Sequence, residues 1–223
     1  MVKKKSKIKS KKKYKLYSIL LWLFFLTPIA LISFIFYFAS VGGFGDMPDL
    51  EVLENPKTNL ASEVISADGK TLGKYYFNDN RTPVTFDELP THLVDALIAT
   101  EDIRFYSHSG IDFKRTFGAA LKFGQDGGGS TITQQLAKLL FTGEGSRDML
   151  ERLTQKFKEY IIAVRLERHY TKDEIITQYL NLYDFGNNGD GIRSAARIYF
   201  GKEPIDLDIN ESAILVDMLK NSS

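Results

Sequence analysis

Glu101-Asp102-Ile103-Arg104-Phe105-Tyr106-Ser107-His108-Ser109-Gly110 is the stretch on which the reading of this chain turns. It closes an apolar stripe of Leu93, Val94, Leu97 and Ile98, whose 3–4 spacing predicts a helix ending near Glu101. Two neighbouring carboxylates at a helix end, followed by aromatics and a His-x-Gly turn, are unusual for a solvated segment. Successive helical side chains diverge by about 100°, so at most one of the two carboxylates faces a given cleft. On the residues alone, an acidic turn beside a core Phe accounts for the segment equally well.

Downstream, Gly127-Gly128-Gly129-Ser130-Thr131-Ile132-Thr133-Gln134-Gln135-Leu136-Ala137-Lys138 is a glycine run that opens a second helix. Ser130 reads as its N-cap, with Ile132, Leu136 and Leu140 on the apolar face. Free N–H groups at such a start suit an anion. The GxxxxGK[ST] spacing of a nucleotide loop is absent, and a flexible loop with a Ser cap is the plainer alternative. Leu150, Leu153, Phe157, Tyr160 and Val164 then predict a long helix reaching about His169. Arg152, Lys156, Glu159 and Ala163 share one face of it, suited either to a polyanion or to an exposed ion-pair ladder worth a few tenths of a kcal/mol per pair, roughly. Thr171 with Glu174 is a capping box for the next helix, and further helices are predicted around 190–199 and 210–220. Upstream, Glu63–Ala67 and Thr71–Tyr76 flank Asp68-Gly69, the pattern of a β-hairpin. The body is therefore mainly α with one small hairpin.

The N-terminus is of another kind. Residues 1–16 hold nine Lys and no acid, and no charge follows until Asp46. Tyr17–Ala39 is an uncharged apolar run of 23 residues, and about 20 span a bilayer core. It is longer and more aromatic than the 7–15 residues, roughly, of a cleaved signal sequence, so an uncleaved transmembrane anchor is expected. The preceding Lys cluster places the N-terminus in the cytoplasm and the rest outside. Pro28 is tolerable within such a helix, and a Gly/Pro-bearing linker, 40–60, leads off the membrane.

Composition narrows the chemistry. The 223 residues carry 29 Lys+Arg against 28 Asp+Glu. With the Lys run set aside, 20 basic and 28 acidic residues remain from Asp46 onward, a poor footprint for nucleic acid. No Cys is present, which excludes disulfides, thiol catalysis and Cys-bound metals. Ser6-Lys7-Ile8-Lys9 has the SxxK spacing of acyl-serine enzymes but lies in the Lys run without SxN or KTG partners. His92, His108 and His169 show no metal-ligand spacing, and no GxSxG occurs.

Taken together, the motifs resemble a known family. Glu101-Asp102-x-x-Phe105-x-x-His108-x-Gly110 resembles the first signature of the peptidoglycan glycosyltransferases (glycosyltransferase family 51), which comprise the monofunctional transglycosylases and the N-terminal domain of class A penicillin-binding proteins. Gly128–Lys138 is similar to the second signature. Lys156-Phe157-Lys158-Glu159 with Ala163 and Leu166-Glu167 is similar to the third. Tyr179-Leu180-Asn181, Phe185-Gly186, Gly191-Ile192, Ala195-Ala196 and Tyr199-Phe200-Gly201-Lys202 match the downstream signature. The likeness covers about 64–220, in order. Three departures stand out: Gln155 where the family often has Arg, Leu139 where it often has Asn, and a longer stretch between Thr142 and Leu150. The chain stops at Ser223, before the family's closing helical segment and any transpeptidase domain, as a partial form of a longer class A protein would.

The resemblance implies a lysozyme-like glycosyltransferase domain over 61–223 that polymerises lipid II into β-1,4 glycan and releases undecaprenyl pyrophosphate. It implies Glu101 and Glu159 as catalytic carboxylates. It implies Asp102, Phe105, His108, Ser130, Thr131, Gln134, Gln135, Lys138, Arg147, Arg152 and Lys156 around the substrate, with Arg147 and Arg152 as alternatives for the phosphate contact. No cofactor is required on this reading, and a divalent cation, magnesium or manganese, is an optional companion of the pyrophosphate. Phe113, Phe117, Ala119, Ala120, Leu121 and Phe123 would dip into the lipid headgroups. The expected partners are lipid II, the growing strand, the bilayer and other cell wall synthesis or division proteins, at a bacterial cytoplasmic membrane. The alternatives are a muramidase-like hydrolase, which also uses two carboxylates, and a non-catalytic anchored scaffold of the same fold.

Overall fold

The computed structural model describes residues 2–43, 45, 48, 52, 62–69, 71–75, 81–121, 129–143 and 148–220. Arg147, Gly127 and Gly128, Phe123 and most of the 40–60 linker lie outside the described residues, as do the side chains of Phe117, Ala119, Ala120 and Leu121. The chain divides into two compact units, Met1–Met47 and Pro48–Ser223.

The first unit is one helix, α1, Val2–Ser40. Its Tyr14–Phe38 portion is long and apolar enough to cross a membrane, with a mean hydropathy of 2.6 over an 18-residue window. Trp22, Phe24, Phe25 and Phe34 are all exposed on it, which water would not favour over so long a run. Pro28 sits inside the helix, and one residue earlier the Thr27 hydroxyl donates to the Leu23 carbonyl at 2.6 Å.

The second unit carries an antiparallel hairpin, β1 Ser62–Ile65 and β2 Thr71–Tyr75, paired from Ser62↔Tyr75 to Ile65↔Thr71 with an irregularity after Val64. Gly69 turns it at a φ of +83°. Among the described residues seven α-helices follow: α2 Thr91–Glu101, α3 Phe113–Leu121, α4 Ile132–Ala137, α5 Met149–His169, α6 Lys172–Leu182, α7 Ile192–Phe200 and α8 Ile209–Lys220. The mainly α body with one hairpin is as the pattern predicted.

Short α4 sits at the centre of this unit. It packs against both α5 and α6, while α2 packs against α8. Leu136, Ile162, Leu166, Ile176 and Leu180 have no exposed surface where these helices meet. Each such side chain is worth about 2–5 kcal/mol against truncation to Ala. Asn181 on α6 pins the chain entering the domain, accepting from Val84 N and donating to Val84 O, both at 2.9 Å. The predicted Thr171–Glu174 capping box is present, with Thr171 N donating to Glu174 Oε2 at 2.7 Å.

One boundary differs from expectation. The N-cap of α4 is Thr131, not Ser130: Thr131 Oγ1 accepts from Gln134 N at 3.1 Å, and the Gln134 side chain accepts from Thr131 N. The Thr-x-x-Gln box satisfies two otherwise unpaired N–H groups at once, which a lone Ser cap cannot do. Lys138–Thr142 then continues α4 as a π-helical turn, stopped by Gly143 at a φ of +65°.

Candidate active site

The two carboxylates at the end of α2 part company, as helical geometry requires. Glu101, the last helical residue, is half-buried, and its Oε2 accepts from Gln135 Nε2 on α4 at 2.7 Å. The α3 residue Arg115 donates to its main-chain carbonyl. Asp102 points the other way, with a side chain that has no exposed surface. It faces His108 Nε2 at 2.9 Å and accepts from Ile132 N, at the start of α4, at 3.2 Å. A buried carboxylate needs such partners, and here they lock the first motif to the second from beneath.

Gly110 is where three motifs meet. At a φ of +87° it lies against the α5 backbone at Ala163. Its carbonyl accepts from Thr131 Oγ1 at 2.7 Å and from Gln134 Nε2 at 3.1 Å. Thr131 and Gln134 are both buried without exposed surface, so these two site candidates hold the scaffold together and do not line a cleft. Phe105 is likewise fully buried. The Lys172 ammonium lies 4.2 Å from its ring centre and donates to the His108 carbonyl at 2.8 Å. Glu167 accepts from Lys172 at 2.7 Å and from Thr133 at 2.6 Å, an internal clamp between α4, α5 and α6.

The cationic end is built on α5. Lys156 Nζ donates to Ser130 Oγ and to Glu159 Oε2, both at 2.7 Å. Glu159 is 6% exposed, and its other oxygen accepts from Thr142 Oγ1 at 3.4 Å. Because Thr131 takes the capping role, the Ser130 hydroxyl is left to receive Lys156. The Lys156 side chain keeps 36% of its surface, so it is held in place and still reachable. Lys138 opens the π-helical turn and is half-buried. Among the described residues its ammonium has no hydrogen-bond or ion-pair partner. Arg152, one turn before Lys156, is exposed.

Among the described residues no three His, Asp or Glu side chains gather to hold an ion, and the Glu159 carboxylate is already shared between an ammonium and a hydroxyl. The donor set around Glu159 among the described residues does not fit a bound divalent cation.

Two contributors carry a role at the site that the sequence does not assign to them. Tyr179 on α6 is fully buried, and its hydroxyl donates to Gln135 Oε1 at 2.8 Å. Thr142 reaches Glu159 only because the π-helical turn redirects the end of α4. Burial, then the charge of Glu101, pushes the neighbouring Tyr183 phenol up to about 12.

The sequence profile described as transglycosylase matches residues 68–223. Penicillin-binding protein 1A of Escherichia coli (strain K12) is 38% identical over 181 residues, covering 79% of this chain and 21% of that protein. Penicillin-binding protein 1F of Bacillus subtilis (strain 168) is 39% identical over 223 residues, 97% of this chain and 29% of the relative. Penicillin-binding protein 1A of Aquifex aeolicus (strain VF5) is 38% identical over 179 residues, 78% of this chain and 24% of its own length. The chain thus spans less than a third of the length of these curated relatives.

Proposed function

This chain belongs to the transglycosylase family, and from that premise we propose that it is a membrane-anchored peptidoglycan glycosyltransferase that polymerises lipid II. The observation that carries this reading is the division of labour around α4. One residue of that helix, Gln135, holds the Glu101 carboxylate, while Ser130 just before it holds Lys156 and Lys138 extends from its end. A base on α2 and a cation on α5 are thereby tied to one short element, the arrangement expected when a hydroxyl attacks a carbon bearing a pyrophosphate.

On this reading Glu101 takes the proton from the 4-hydroxyl of the acceptor sugar as that oxygen attacks the anomeric carbon of the donor. General base catalysis of this kind contributes about 10²–10⁴-fold. The C–O bond to pyrophosphate breaks on the opposite face, so an α-linked donor becomes a β-1,4 linkage. Charge grows on the departing pyrophosphate, and Lys156 and Lys138 stabilise it. Fixed cations lower the barrier because they need not reorganise as the charge develops. Glu159 is the positioning carboxylate, holding Lys156 through its 2.7 Å contact. Arg152 lies one turn away on the same helix and extends the cradle.

A hydrolase with the same two carboxylates has no anion to receive, and the paired cations favour the transferase. The helix α1 supports an anchor that keeps the domain beside a substrate whose lipid tail stays in the bilayer, with the basic N-terminal tail in the cytoplasm. Incubating the detergent-solubilised chain with labelled lipid II tests the reading: long glycan strands are expected, whereas short hydrolysed sugars or unchanged lipid II would overturn it.

A further inference from the structure

The Glu101 carboxylate is held by an amide that is itself held from behind. Gln135 donates through Nε2 to Glu101 Oε2 at 2.7 Å, and its Oε1 accepts from the Tyr179 hydroxyl at 2.8 Å. An ionised carboxylate only accepts hydrogen bonds, so the amide must turn its nitrogen toward Glu101. Its oxygen is then left facing the interior beside α6, where an unpaired polar atom is costly. Tyr179 supplies the missing donor. Without it, nothing among the described residues at that end would oppose rotation of the amide, which would set its oxygen against the carboxylate.

We propose that Tyr179 is a positioning residue for the general base, fixing the sense of the Gln135 amide so that Glu101 is held ready to accept a proton. The inference rests on Glu101 being that base. Tyr179 touches no reacting atom and acts only through Gln135. Burial first, and the charge on Glu101 second, raise the Tyr179 phenol above its ordinary value, so it stays a proton donor across the working pH range. The other groups facing this corner are Arg115 from α3, on the Glu101 carbonyl, and Tyr183 just past the end of α6. Neither bonds to the Gln135 amide in the described residues. Loss of a neutral hydrogen bond corresponds to about a three- to tenfold effect.

The test uses the full chain in detergent with ¹⁵N-labelled glutamine, reading the Gln135 side-chain amide by NMR and polymerisation kinetics in parallel. In the wild type the Gln135 amide protons should be protected from exchange. Tyr179→Phe, which keeps the ring, should speed their exchange about three- to tenfold and lower kcat by a similar factor with KM unchanged. Gln135→Ala should lower kcat further, and adding Tyr179→Phe to it should change nothing more. A Gln135 amide in the wild type that exchanges like a solvent-exposed glutamine would overturn the proposal without any variant. So would an unchanged amide in Tyr179→Phe, or a full extra loss of kcat in the double variant. Should the wild type polymerise nothing, the glycosyltransferase reading falls, and the amide measurement still decides the role of Tyr179.

Discussion

A methyl group placed on Gly110 would sit 2.8 Å from both the carbonyl carbon and the oxygen of Ala163 on α5. Backbone cannot yield as a flexible side chain can, and the φ of +87° adds strain for any residue with a Cβ. The His-x-Gly turn is therefore pressed directly onto the helix that carries Lys156 and Glu159.

From this contact follows the first prediction. Gly110→Ala should cost about 2–4 kcal/mol of stability, the range for combined overpacking and backbone strain. Urea unfolding of the purified chain would measure it. A loss below about 0.5 kcal/mol, the scale of a surface change, would contradict the close approach.

A second prediction concerns acid. Burial pulls the Asp112 carboxyl upward, but the Arg115 N–H and the Arg104 guanidinium outweigh it and hold it below the ordinary carboxylate value. Arg104 reaches both oxygens, at 2.8 and 2.7 Å. A carboxyl lowered in the folded state adds stability above its unfolded value of about 3.9, and that contribution is lost as pH falls through the folded value. Asp112→Asn should thus destabilise the protein at pH 7 and make progressively less difference below about pH 4. Unfolding midpoints across that range would show it; a gap that widens in acid would contradict the assignment.

How much of this was legible beforehand depended on the kind of signal. Asp68-Gly69 between alternating segments announced the hairpin, and the apolar spacing of Leu150 through Val164 announced α5, because both are local patterns. The divergence of Glu101 and Asp102 also follows from local geometry, although which of them turns inward depends on His108 and the start of α4. Ser130 was misread as the cap because Ser and Thr are adjacent, yet only Thr131 has Gln three residues on. The π-helical turn at Lys138–Thr142 leaves no periodic trace, since its one extra residue is set by packing against α5. The role of the Tyr179 hydroxyl is equally hidden: Tyr179 falls within the downstream signature, but its partner is 44 positions away.

The cationic cradle yields a third prediction. Lys138→Ala and Lys156→Ala should each weaken binding of a phosphoglycolipid that mimics the donor by about 1.5–3 kcal/mol, the worth of a charge-assisted contact. Lys156→Ala should also leave Glu159 without its cation, so the same variant should lose more turnover than Lys138→Ala. Titration calorimetry against the mimic would check the first part. Wild-type affinity in both variants would remove the cradle from the account.

The separation of base from cradle is the central feature of the proposed mechanism. Glu101→Gln keeps the size of the side chain but cannot take a proton, so the rate of lipid II polymerisation should fall about 10²–10⁴-fold. Affinity for the phosphoglycolipid mimic, measured on the same preparation, should stay within about twofold of wild type, because Glu101 is held by Gln135 while Lys156, held by Ser130, and Lys138 are the cations proposed to receive the donor phosphates. A Glu101→Gln chain that still polymerises lipid II at a rate near wild type would contradict the mechanism outright.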